Sequence, residues 1–179
     1  MEVRIFSEED FLALLKKDHI EIDALPKLVV DRLAEKGLKI ATAESCTGGL
    51  ISKLVTDCSG ASAVFDCGVC SYANEIKEKV LGVKHETLEA YGAVSPQTAK
   101  EMAEGIKRLS GADVGVSVTG IAGPGGGTPE KPVGTIYIAC ATSVKTDIVL
   151  ADFADKNNPR CKNRQLAAAL ALYCVFLGI

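Results

Sequence analysis

An apolar run, Leu38 to Ala43, leads through AESCTGG (residues 43–49) into LISKLVTD, whose Leu50, Ile51, Leu54 and Val55 share one helical face. A buried strand, a short glycine-bearing turn and an amphipathic helix in direct succession open a β–α unit, and such a strand needs cover on both faces. The alternation continues. Val64 to Tyr72 reads as a strand, EIKEKVLG as a helix capped by Asn74, and His85 to Tyr91 as a short helix. SPQTAKEMAEGIKRLSG is a helix with Ser95 as cap and Pro96 at its first position, and Ala99, Met102, Ala103, Ile106 and Leu109 form its buried face. DVGVSVTG is a strand; VGTIYIACAT and DIVLADF are two more in succession, antiparallel across SVKT. A last helix runs from Arg160 to Leu177. The pattern predicts an α/β chain: a three-layer α/β/α sandwich with a mixed, mostly parallel sheet over residues 24–179. Ahead of it, Ser7 with Asp10 forms a capping box, Phe6 and Phe11 a hydrophobic staple, and a helix reaches Lys17. Asp23 is expected to cap the next helix, which Gly37 stops. Residues 1–23 read as a short N-terminal helical arm.

The chain has 179 residues, enough for one full core, with 20 basic and 23 acidic residues and a net charge of −3. That balance offers nothing to a nucleic-acid backbone. No apolar run reaches membrane-spanning length, and MEVRIFSEED lacks the basic-then-apolar pattern of a secretory signal. A cytoplasmic protein is the expectation. The seven cysteines are an odd number and lie mostly in apolar stretches, as buried free thiols do in a reducing compartment. Cys67 and Cys70 form a C-x-x-C within a strand, with no second pair, and the two histidines are His19 and His85. Neither a zinc site nor a redox site follows.

Polar features gather where strands end. Ser45 and Thr47 follow the first strand of the sandwich, Tyr72 ends the second with Lys77 five residues on, and Thr119 and Gly120 follow the third. Ligands of open α/β sheets bind at these carboxyl ends. Thr47, Gly48 and Gly49 are expected in the first turn of a helix, whose free N–H groups suit a phosphate or a developing oxyanion; a plain helix cap is the alternative. Lys77 falls in the first turn of its helix, where a cation is poorly placed. If buried, it becomes a neutral amine able to take a proton from a serine. The competing reading is a solvated lysine offset by Glu75 and Glu78. GIAGPGGGTPEKPVG is a loop whose glycines, Gly123 among them, allow close approach to a ligand. It is not a Walker A loop.

TAESCTGGLISKLVTDCSGASAVFDCGVCSYANEIKEKVLGV, GAVSPQTAKEMAEGI and VSVTGIAGPGGGTPEKPVGTIYIA resemble, in order and spacing, the CinA C-terminal domain family over residues 24–177. The resemblance implies a nicotinamide-nucleotide amidohydrolase. It converts nicotinamide mononucleotide and water into nicotinate mononucleotide and ammonia, without a metal or an organic cofactor. It implies Ser45 as nucleophile and Lys77 as its base, with Tyr72 and Thr119 orienting the dyad or the substrate. Arg160 is the best match to a substrate-holding arginine, with Arg164 one helical turn on. Asn158 and Pro159 stand where the family has a glycine and an acid. Family members often assemble, which implies a homo-oligomer. Many carry a long N-terminal domain that hydrolyses ADP-ribose; the two dozen residues in front of this domain predict no such activity. Two other readings compete: a nucleotide-binding module without turnover, and a cysteine hydrolase using Cys46, whose place near a helix N-terminus lowers a thiol pKa.

Overall fold

The structure, a computed structural model, describes residues 2–153 and 160–179. Among the described residues six strands form one sheet. Its order is β1 (Arg4–Ser7), β6 (Thr146–Asp152), β5 (Thr135–Ala141), β4 (Val114–Gly120), β2 (Ile40–Glu44) and β3 (Phe65–Cys70). β1 runs parallel to β6, and β2 runs parallel to both β3 and β4. β5 is antiparallel to both of its neighbours. The helices are α1 (Glu8–Lys17), α2 (Leu25–Lys36), α3 (Leu50–Thr56), α4 (Asn74–Leu81), α5 (His85–Tyr91), α6 (Pro96–Ser110) and α7 (Arg160–Gly178). α7, with α2 and α3 against it, covers one face of the sheet; α6, with α4 and α5 outside it, covers the other. This is the mixed three-layer sandwich that the alternating pattern predicts. Among the described residues no helix is long and apolar enough to cross a membrane.

The N-terminal segment differs from the helical arm expected over residues 1–23. Arg4–Ser7 is an edge strand, in register with Val149 to Asp152 of β6. α1 then packs back on the sandwich. Phe11 is fully buried with its ring 5.8 Å from that of Tyr173, and the Tyr173 hydroxyl donates to Asp18 at 2.7 Å. Four residues are too short to announce a strand by periodicity, and pairing with β6 decides their conformation. The Ser7 capping box is present: Ser7 Oγ accepts the Asp10 N–H at 3.1 Å, and Asp10 accepts the Ser7 N–H at 3.0 Å.

Three helix starts move. Asp23 lies in a 3-10 turn, Ile22–Ala24, and α2 begins at Leu25 with Pro26 in its first turn. α4 begins at Asn74 itself, with Ala73 in the cap position. α3 begins at Leu50, because Gly48 and Gly49 have φ of 62° and 92° and hold the chain in a left-handed turn.

The helices on the α6 face approach unusually closely. A Cβ at Gly105 of α6 would lie 2.0 Å from the Leu81 carbonyl oxygen of α4. Backbone cannot yield there as a flexible side-chain end can. Gly105→Ala is therefore expected to destabilise the fold by about 1–3 kcal/mol, as overpacking does, lowering Tm by several degrees in a thermal melt. An unchanged melting temperature would show that α4 moves freely on α6.

Candidate active site

Glu44, the last residue of β2, is fully buried. A buried carboxylate needs donors on both oxygens, and it finds them in α3. It accepts the Ile51 N–H at 3.1 Å, the Ser52 N–H at 2.8 Å and the Ser52 hydroxyl at 2.9 Å. Of the two readings the sequence offered for this helix start, a bound anion or a plain cap, the N–H groups of Ile51 and Ser52 serve a cap, supplied by the Glu44 side chain. Ser52 Oγ also lies 2.7 Å from Thr42 Oγ1, a contact that Gly68 leaves room for.

Ser45 comes next. Its N–H donates to Val118 O of β4 at 2.9 Å, and its carbonyl accepts the Gly48 N–H at 3.1 Å. The residue is pinned to the sheet on one side and closed by a four-residue turn on the other. Its hydroxyl faces Lys77, whose Nζ lies 3.2 Å from Ser45 Oγ. Lys77 is 1% exposed, so the solvated-lysine reading does not hold. Burial pushes its pKa down from the ordinary lysine value; the neighbouring Cys46 opposes the shift. Nζ also donates to Ser71 O at 2.7 Å and to Tyr72 O at 3.2 Å. Two carbonyls and one hydroxyl therefore surround the amine. A neutral amine has two N–H donors and one lone pair. With the donors on the carbonyls, the lone pair is left for the serine proton.

The other predicted residues divide into groups. Tyr72 contributes its carbonyl to Lys77, while its exposed ring reaches outward and its hydroxyl accepts from Arg160 Nη2 at 3.3 Å. Arg160, at the start of α7, also donates from Nη1 to Gly123 O at 2.8 Å. Thr119 is buried and its hydroxyl donates to Ala93 O at 2.8 Å, tying the end of β4 to the α5–α6 link; the structure records no bond from it to Ser45 or Lys77. Gly120 is where β4 and β5 approach closely: a Cβ there would lie 2.6 Å from Ile136 Cα. Thr47 is buried and its carbonyl is held by Arg164. Asn158 and Pro159 lie outside the described residues.

Two supports were not legible as such. Asn163 of α7 is buried and donates to Ala122 O at 3.1 Å. Lys131 donates to Tyr91 O at 3.0 Å and Val94 O at 2.7 Å, fastening the glycine-rich loop to the α5–α6 link. A lone asparagine ahead of an alanine-rich helical face is a signal for the first. Nothing in the sequence marks the second. Among the described residues no group of histidine, cysteine and acidic side chains is placed to hold a metal ion.

Cys46 is 6% exposed, and burial pushes its thiol up to about 12. The expected lowering by a helix N-terminus does not occur, because the helix starts later and Glu44 occupies its end. Cys67 and Cys70 are free thiols, three apart on β3 and so on opposite faces of that strand.

A sequence profile of the CinA C-terminal domain matches residues 22–177. A CinA-like protein of Anaeromyxobacter sp. (strain K) is 50% identical over 157 residues, which are 88% of this chain and 38% of that protein. The chain spans about a third of the length of the curated relatives it matches. Among solved structures, the competence/damage inducible protein CihA from Agrobacterium tumefaciens superposes with a TM-score of 0.84 at 40% identity, over 87% of this chain and 94% of that one. The competence damage-inducible protein A (ComA) from Klebsiella pneumoniae gives 0.83 at 33% identity, over 88% and 96%.

The state of Cys46 is directly measurable. With its thiol at about 12, roughly one part in 10⁴ is thiolate at pH 8. Iodoacetamide is expected to label the exposed Cys70 and Cys161 in the native protein, and Cys46 only after unfolding, as read by peptide mass spectrometry. Native labelling of Cys46 as fast as of those two would return the thiol to consideration as nucleophile.

Proposed function

The chain belongs to the CinA C-terminal domain family, and from that premise we propose that it is a serine–lysine amidohydrolase acting on nicotinamide mononucleotide. The observation that carries this reading is the buried Lys77 amine 3.2 Å from the Ser45 hydroxyl.

In this reading the neutral amine of Lys77 takes the Ser45 proton as Oγ attacks the carboxamide carbon. The C–O bond forms, the carbonyl π pair moves to oxygen, and a tetrahedral intermediate results. Its collapse breaks the C–N bond. Lys77 returns the proton to the leaving nitrogen, which departs as ammonia and leaves an ester on Ser45. Water, deprotonated by the same amine, attacks the ester carbon; the C–O bond to Ser45 breaks, Lys77 returns the proton to Ser45 Oγ, and the carboxylate, nicotinate mononucleotide, is freed. The Ser71 and Tyr72 carbonyls keep the amine aimed at Oγ through both half-reactions. Arg160 supplies the charge suited to the nucleotide phosphate, since it is the exposed guanidinium beside Tyr72 and the glycine-rich loop.

Ammonia release from nicotinamide mononucleotide by chelator-treated protein tests the proposal. Lys77→Ala and Lys77→Arg are both expected to lose about 10²–10⁴-fold in kcat/KM, the arginine variant because guanidinium cannot be deprotonated. Tight substrate binding without ammonia from the wild type would make the protein a binding module.

The pH profile has a fixed sign. The base is the neutral amine, so kcat/KM rises with pH as Lys77 loses its proton and levels off above its pKa. Burial favours the neutral form, which places the midpoint below the ordinary lysine range. A rate that falls with rising pH across that interval would reject Lys77 as the base.

A further inference from the structure

Two arginines one helical turn apart leave α7 on the same side, and they do different things. Arg160 is exposed and bridges Gly123 O and the Tyr72 hydroxyl. Arg164 is half-buried and directs two N–H groups at a single acceptor, the carbonyl of Thr47: Nε at 3.2 Å and Nη2 at 2.5 Å. We propose that Arg164 is a positioning residue for the nucleophile, acting through the Thr47–Gly48 peptide on Ser45. This rests on the reading of Ser45 as nucleophile given above.

The argument is geometric. In a trans peptide the C=O and the following N–H point in opposite directions. The Thr47 carbonyl faces Arg164, and the N–H of the same peptide unit, that of Gly48, donates to Ser45 O at 3.1 Å. One rigid plane is thus held at both ends, by a guanidinium on one side and by the serine's own carbonyl on the other. A charge-assisted bond on the carbonyl polarises the unit and strengthens the N–H bond that closes the turn. Gly48 has φ of 62° and no side chain, so little else resists rotation of this plane. Thr47 cannot hold it through its side chain, because its buried Oγ1 has no hydrogen-bond partner among the described residues. The other end of the segment is fixed by Glu44 on Ile51 and Ser52. Arg164 fixes the middle.

A group that acts this way changes the geometry of attack, not the affinity for substrate. Arg164→Ala is expected to lower kcat for ammonia release about 10- to 100-fold, the loss typical of a nucleophile displaced by about an ångström, with KM within about twofold of wild type. The pH midpoint set by Lys77 stays where it is. Low-millimolar guanidinium ion restores part of kcat in the alanine variant and does nothing for wild type. Arg164→Lys recovers less than the free ion, because one ammonium cannot present two coplanar N–H groups to one carbonyl. A raised KM at unchanged kcat would overturn the proposal and make Arg164 a substrate contact. A shifted pH midpoint would overturn it by assigning Arg164 to the environment of Lys77.

A substrate-free readout separates this proposal from the choice of substrate. The rate at which a fluorophosphonate probe labels Ser45 falls in Arg164→Ala in parallel with kcat, at a folded-state far-UV signal equal to wild type. Wild-type labelling without ammonia release would reject nicotinamide mononucleotide as substrate and leave the Arg164 comparison standing. Equal labelling of wild type and variant, or none of Ser45 in either, would overturn the role of Arg164.

Discussion

The carboxylate of Glu44 is the interaction on which the site depends. A charge placed at the end of a central strand, with no exposure, is stable only if its oxygens are satisfied. The first N–H groups of α3 and the Ser52 hydroxyl satisfy them. This bond set fixes where the helix begins and how long the turn between strand and helix is. Ser45 stands inside that turn. Its backbone conformation follows from a capping requirement that exists before any substrate arrives.

Elements distant in sequence then converge on the turn. β4 contributes the Val118 carbonyl to the Ser45 N–H, and α4 brings Lys77 from 32 residues away. α7 closes the assembly: Arg164 reaches Thr47 across 117 residues, Asn163 binds Ala122, and Arg160 binds Gly123 and Tyr72. Its buried face is rich in alanine, and its first turns carry the polar residues that reach the strand ends. The amine and the hydroxyl are thus held by separate layers of one packed core. Their spacing is set by the packing of those layers.

Much of the architecture was readable because short apolar runs, bounded by glycine-bearing turns, alternate with amphipathic helical stretches. α6 is the clearest case: Ser95 caps it at 3.2 Å from the Thr98 N–H, and Ala99, Met102, Ala103 and Ile106 are buried, but Leu109, expected on the same face, is exposed in the last turn. β1 was not readable: its conformation is decided by β6, whose sequence lies more than a hundred residues away. The start of α3 was misplaced because the glycines looked like part of a helix, whereas their positive φ delays it. Ser45 and Lys77 announced themselves by position at strand ends. Their proximity did not, because contact across 32 residues is a property of the packed layers. Thr119 shows the converse. It occupies the expected strand end, yet its hydroxyl is turned to Ala93, since alternate residues of β4 face the α6 layer, as the Ser117 hydroxyl on Ala99 O also shows.

The antiparallel seating of β5 beside β4 has a different kind of consequence. A parallel neighbour would demand a crossover passing to the far end of the sheet. Here the chain leaves β4 and re-enters β5 at the same end of the sheet, the end at which β2 leads into Ser45, so residues 121–134 stay at that end. Lengthening or shortening that connection leaves every strand register untouched, and the entropy of closing a longer loop grows only slowly with length. The Ser45–Lys77 pair and the loop are therefore built differently: the first sits among strands and helices of the sandwich, and the second is a surface connection held by side-chain bonds from Lys131, Arg160 and Asn163.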